Sequence, residues 1–208
     1  MTIVSLTLLG NVVAIAMAIQ GAELQHRSES VLDPLTGLLN RKALGTRFAE
    51  LSEQARLSGA SVCVIESDLD GFKRINDTHG HERGDAVLRD AAYAMRKSLR
   101  SFELMYRLGG EEFLIVMPRV GLAEGVRIAE RLRVTVERAR PGGLDVTISL
   151  GVSAASGASV DYEPLFAAAD EALYAAKRAG RNRVVSRPQT VEAPASALPA
   201  PLPEPASA

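Results

Sequence analysis

Two short stretches carry residue types that could do chemistry together. Asp68-Leu69-Asp70-Gly71-Phe72-Lys73 follows the apolar run SVCVIESD (61–68), and Gly109-Gly110-Glu111-Glu112-Phe113 separates the runs LMYRL (104–108) and FLIVM (113–117). Each sets carboxylates at the end of a strand-like segment, and if the strands are neighbours the carboxylates converge. Converging carboxylates repel one another unless a cation sits among them. An all-oxygen donor set suits a hard ion such as magnesium, which keeps phosphate oxygens and waters in its shell. Such an ion activates an attacking hydroxyl and neutralises a leaving phosphate. Glycines at the turn let phosphate approach the backbone with no Cβ in the way. Taken singly, either acidic pair reads more simply as a solvated turn; their joint placement beside apolar strands is what makes a site.

Lys73, Lys177 and Arg181 are the candidate cations for a polyphosphate. Taken one at a time, Lys177 and Arg181 are equally a helix C-terminus carrying the charge its dipole favours. The polar stretch 76–85 reads as a loop facing a ligand. By default Asp85 caps the following helix and Asn76 ends a short helical turn. The functional alternative gives them a base: guanine offers two adjacent N–H donors to a carboxylate and acceptors to an amide. His79 and His81 are loop residues with no thiol or third histidine beside them.

Composition narrows the field. The chain has 208 residues, 24 Lys and Arg against 25 Asp and Glu, and a net charge of −1, which lacks the positive field that general nucleic-acid binding requires. A single cysteine, Cys63, excludes an internal disulfide, and with three histidines it is too little for a zinc site built from those residues alone. At 47% hydrophobic the chain can bury a core.

The ends differ from the middle. Residues 2–22 carry no charge and as a helix would reach roughly 30 Å, one hydrocarbon thickness. A signal peptide lacks its basic start here and a buried helix lacks its polar face, so 1–22 is expected to anchor in or span a membrane. Residues 23–34 are the expected linker. The first basic residues, Arg27, Arg41 and Lys42, all follow the run, which puts the catalytic part on the cytoplasmic side of an inner membrane. Residues 187–208 hold most of the chain's ten prolines and read as a disordered tail. Between lies the working domain, 35–186.

Within it, periodicity predicts helices over 36–57, 85–99, 122–138 and 162–179. Strands are expected at 61–68, 104–108, 113–117 and, half-buried and alternating, at 146–153. Helix, strand, helix, hairpin, helix, strand, helix describes an α+β domain: a mainly antiparallel sheet covered by helices.

The motifs DPLTGLLNR (33–41), DLDGFKRIND (68–77), GHERGD (80–85), RLGGEEF (107–113), SLGVS (149–153) and ADEALYAAKRAGRN (169–182) occur together and in order. With them the chain resembles the GGDEF-domain diguanylate cyclase family over essentially all of 31–186. The resemblance implies a palm-like nucleotide-cyclase fold and condensation of two GTP into cyclic di-GMP by a homodimer. It implies Mg²⁺ (or Mn²⁺) bound by Asp68, the Leu69 carbonyl, Glu111 and Glu112, with Glu111 and Glu112 catalytic. It also implies that Asn76 and Asp85 read guanine while Lys73, Lys177 and Arg181 hold phosphates. The competing reading is a catalytically silent module that binds GTP or another protein.

Two positions depart from the family's usual pattern. Glu111 stands where Asp is usual and keeps the carboxylate. The family's inhibitory product site, Arg-x-x-Asp, is here Arg100-Ser101-Phe102-Glu103, which predicts weak or absent product inhibition.

Overall fold

Residues 62–65 are apolar on both sides of the strand, so both faces of that strand must be covered, as in the middle of a sheet. The computed structural model, which describes residues 31–189, puts them there. The elements are β1 (Leu39–Asn40), α1 (Arg41–Ser58), β2 (Ser61–Leu69), α2 (Phe72–His79), α3 (His81–Ser98), β3 (Leu104–Gly109), β4 (Glu112–Pro118), α4 (Leu122–Ala139), β5 (Ile148–Ser156), α5 (Tyr162–Arg178) and β6 (Val184–Ser186). The six strands form one sheet in the order β1-β3-β4-β2-β5-β6. Its centre is antiparallel, and the two edge strands β1 and β6 pair in parallel with β3 and β5. The fold is α+β, as expected.

Side chains alternate across β2 and divide the core. Cys63, Ile65 and Leu69 pack with Phe72 of α2, Val87, Ala91 and Met95 of α3, and Leu132 of α4. Val62 and Val64 pack on the other face with Leu44 and Phe48 of α1 and Leu165 and Ala169 of α5. Helices α1 and α5 therefore cover one face and α2 to α4 the other. Strand β2 emerges between them with its last residues at the rim.

Several expectations are corrected. The first helix begins at Arg41 rather than near 36, because Asn40 caps it by accepting the Lys42 and Ala43 N–H groups, while Leu39–Asn40 pairs with β3. The stretch 76–85 is not a loop: α2 runs to His79 and α3 starts at His81, with Gly80 (φ 81) as the joint. Strand β5 is buried along Ile148–Ser153 instead of half-buried. Its polar-looking side is small because α5 lies directly on it: a Cβ on Gly151 would sit 2.1 Å from the Ala169 carbonyl oxygen.

The folded contacts reach back before residue 35, for Leu32 bridges Leu39 and Asp33 accepts hydrogen bonds from Thr36. The expected anchor over 1–22 and most of the tail lie outside the described residues. No helix among the described residues is long and apolar enough to cross a membrane.

Candidate active site

The site grows from the pairing of β2 with β4. Their antiparallel register sets Asp68 opposite Glu112, and partners across antiparallel strands share a face. One residue further, the Leu69 N–H donates to the Glu111 carbonyl at 3.3 Å. The two acidic segments are thus neighbours at one rim of the sheet. Asp68 is buried, and Lys177 from the end of α5 places Nζ 2.8 Å from its Oδ2. Burial pushes the Asp68 carboxyl above its usual range; Lys177 pulls it down, and the Glu111 and Asp70 charges add to the rise. Glu66, two residues back on the same face, is pushed up to about 7 by burial first, then by Asp170 and Glu112.

The β3–β4 tip is held in shape from behind. Gly110 has a left-handed backbone (φ 49), which glycine adopts without a Cβ clash. Its carbonyl accepts from Arg107 Nε (3.0 Å) and Nη2 (2.8 Å), while Arg107 Nη1 reaches Asp33 at 3.1 Å. This mostly buried ion pair ties the turn at 33–36 to the tip that carries Glu111. Sequence reasoning passed over Arg107; its signal was a basic residue two positions before the glycine pair.

Asn76 lies inside α2 and Asp85 in the second turn of α3, so neither is the cap that a bland reading assigns. The Asn76 Oδ1 atom is buried and has no hydrogen-bond partner, an unmet acceptor of the kind a ligand donor satisfies. It fits there because Gly84 has no side chain: a Cβ at that position would fall 1.9 Å from Oδ1. Lys73 follows Phe72 at the start of α2 and is exposed. Arg181 follows α5 with a left-handed backbone (φ 59), and its guanidinium has no hydrogen-bond or ion-pair partner among the described residues. Asp70 turns out to be a protein-bound carboxylate. It accepts from Thr147, Ser149 and the Asn182 N–H.

The donor set suits a hard cation that arrives with a ligand. Among the described residues no group of three or more His, Cys, Asp or Glu side chains could hold a metal unaided. Magnesium at nucleotide sites needs only one or two carboxylates besides phosphate oxygens and waters, and Asp68 and Glu111, neighbours at this rim, are the residues that could supply them.

Arg100 and Glu103 are brought close but engaged differently. Glu103 is buried, its Oε2 accepting the Arg100 backbone N–H at 2.6 Å and its Oε1 left without a partner. The Arg100 guanidinium lies outside, 5.9 Å over the Phe102 ring.

Comparison with known proteins identifies the family. Residues 30–183 match the family described as diguanylate cyclase, GGDEF domain. The chain is 44% identical over 172 residues to the response regulator PleD of Caulobacter vibrioides, a match covering 79% of this chain and 38% of that protein. It is also 44% identical over 162 residues to the diguanylate cyclase DosC of Escherichia coli, covering 76% of this chain and 35% of that one. The chain therefore spans little more than a third of the length of these curated relatives.

Among solved structures, the GGDEF domain of DgcB from Caulobacter crescentus in complex with c-di-GMP matches with a TM-score of 0.67 and 34% identity, covering 76% of this chain and 96% of that one. The active GGEEF domain of a diguanylate cyclase from Vibrio cholerae matches with a TM-score of 0.68 and 31% identity, covering 72% and 97%. The matched span, residues 30–183, contains the paired strands, the glycine-tipped hairpin and the α5 lysine, and the chain belongs to the GGDEF family of diguanylate cyclase domains.

Proposed function

We propose that this chain condenses two GTP molecules into cyclic di-GMP with release of two pyrophosphates, as a Mg²⁺-dependent homodimer. The observation that carries the reading is the shared rim: Asp68 opposite Glu112, the Leu69 N–H on the Glu111 carbonyl, and Lys177 on Asp68. Asp68, the Leu69 carbonyl and Glu111 are the groups that would hold Mg²⁺, with Glu112 beside them. When bound, that ion neutralises triphosphate charge and makes the 3′-hydroxyl easier to ionise.

The protein's own part is positioning and charge stabilisation, which dominate phosphoryl transfer. Lys73, Lys177 and Arg181 hold the triphosphate, with Arg181 free to do so and Lys177 released from Asp68 as the ligand's charges arrive. Asp85 accepts the guanine N–H pair, and Asn76 offers the acceptor left open beside Gly84. Glu111 and Glu112 are the carboxylates assigned to receive the 3′-hydroxyl proton. Each domain holds one nucleotide, so each 3′-oxygen attacks the α-phosphorus of the nucleotide opposite and the bond to the β-phosphate bridging oxygen breaks. A two-fold pair of chains is therefore required. The uncharged N-terminal run is the proposed membrane tether, holding the catalytic domains on the cytoplasmic side.

The test is chromatography of the product formed from GTP and Mg²⁺, with Glu112→Gln as the control. Cyclic di-GMP from the wild type and none from the variant is the expected result. A demonstrably dimeric but inactive wild type would overturn the enzyme reading in favour of a silent binding module.

A further inference from the structure

The second acid of the Asp68-Leu69-Asp70 motif is left without a part in the chemistry above, yet its carboxylate accepts three hydrogen bonds. Its Oδ1 accepts Ser149 Oγ at 2.7 Å; its Oδ2 accepts Thr147 Oγ1 at 2.7 Å and the Asn182 backbone N–H at 3.0 Å. Its own N–H donates to the Thr147 carbonyl at 2.9 Å. Three donors on one carboxylate leave little capacity for a metal, so Asp70 is a structural anion.

What it anchors is unusual. Arg181 and Asn182 are consecutive residues with left-handed backbones, φ 59 and φ 45, a conformation that L-residues with side chains keep only when their surroundings enforce it. The enforcement is visible. The Arg181 N–H donates to the Ala176 carbonyl at 3.1 Å, and Asn182 Oδ1 accepts Arg133 Nη1 at 2.8 Å. Asn182 Nδ2 donates to Glu137 Oε1 at 2.9 Å, and the Asn182 N–H ends on Asp70. Three elements (β2, α4 and α5) thus converge on a two-residue turn whose one unengaged side chain is the Arg181 guanidinium.

We propose that Asp70 is a positioning residue for the triphosphate: by fixing the Arg181–Asn182 turn it aims the Arg181 guanidinium. It thereby couples the strand end that delivers Asp68 to the turn that grips phosphate. The inference rests on the reading that Arg181 contacts the nucleotide.

Full-length protein is titrated by calorimetry, in Mg²⁺, with a GTP analogue whose α–β bridge cannot be cleaved. The proteins are wild type, Asp70→Asn, Arg181→Ala and the double variant. Arg181→Ala weakens binding about 10-fold, Asp70→Asn about 5-fold, and the double variant is no weaker than Arg181→Ala within about 2-fold, since neighbours acting through one contact are not additive.

A merely structural Asp70 gives additive losses, and an idle one gives an Asp70→Asn affinity equal to wild type; either overturns the proposal. Arg181→Ala binding like wild type instead removes the phosphate role of Arg181 and the inference with it, a separate failure. Should Asp70→Asn not fold, Thr147→Val removes one donor to the same carboxylate at little change in volume. The same non-additivity with Arg181→Ala is then required, and additivity refutes the role.

Discussion

Lys177 Nζ rests 2.8 Å from Asp68 Oδ2 at the rim of the sheet, so the cation proposed to hold phosphate and the anion proposed to hold metal neutralise each other. Substrate loading must part them, and that gives Lys177→Met two effects of opposite sign. Removing the lysine frees Asp68 of a competitor, so Mg²⁺ titrated without nucleotide binds the variant more tightly. The triphosphate loses a charge-assisted contact, and the nucleotide analogue binds about 10-fold more weakly. Calorimetry of both ligands checks this. Two changes in the same direction would show that the pair does not exchange partners.

Gly84 offers a case in which stability and function part company. Inside α3 an alanine favours the helix by about 1 kcal/mol over glycine. The atom its Cβ would strike, 1.9 Å away, is the end of the Asn76 side chain, which can swing aside. Gly84→Ala is therefore expected to melt no lower than wild type while raising KM for GTP about 10-fold, with kcat changed far less. Thermal melts and steady-state kinetics decide. Unchanged KM would mean that Asn76 Oδ1 is not a nucleotide contact.

How far the sequence alone reveals this domain depends on where each element's cause lies. Strand β2 and the β3–β4 hairpin are legible because Val62, Val64 and Ile65, then Leu114 to Met117, are apolar runs bounded by turn residues, and they carry the acidic site with them. Helix α2 is not, since only Phe72 and Ile75 give it an apolar side and Asn76, Asp77 and Gly80 look like a loop. Strands β1 and β6 are two and three residues long; their parallel pairing depends on what the rest of the sheet offers. Ser149, Gly151 and Ser153 look solvent-facing, but they are small because α5 is pressed against them. The role of Asp70 was hidden for a similar reason, as its partners at 147, 149 and 182 are distant in the chain.

Glu66 links the site to pH. Its carboxyl is pushed from 4.5 to about 7 in the folded domain, with burial the first cause. A carboxyl raised on folding keeps its proton through that window in the native state while the unfolded chain has lost it. Native stability is therefore greatest at the acid side and declines as pH rises towards 7. Solvent screening at this partly exposed group limits the effect to about 1 kcal/mol. In chelator-treated protein, Glu66→Gln should flatten the fall in denaturant stability between about pH 5 and pH 8. A variant with the wild-type slope would assign the titration elsewhere.

The Arg100–Glu103 pair predicts the response to product. A site that grips a guanine nucleotide with an arginine and a nearby acid needs both side chains presented to the ligand. Here Glu103 is 1% exposed and committed to the Arg100 backbone N–H, whereas the Arg100 guanidinium lies over Phe102. Turning the carboxylate outward would break a charge-assisted hydrogen bond, a cost of about 2 kcal/mol that product binding must overcome. Feedback by cyclic di-GMP is therefore expected to be weak: initial rates with added product should fall little, and Arg100→Ala should change the inhibition less than about 2-fold. Calorimetry that found tight product binding, abolished by Arg100→Ala, would show that the inward pose of Glu103 gives way to ligand.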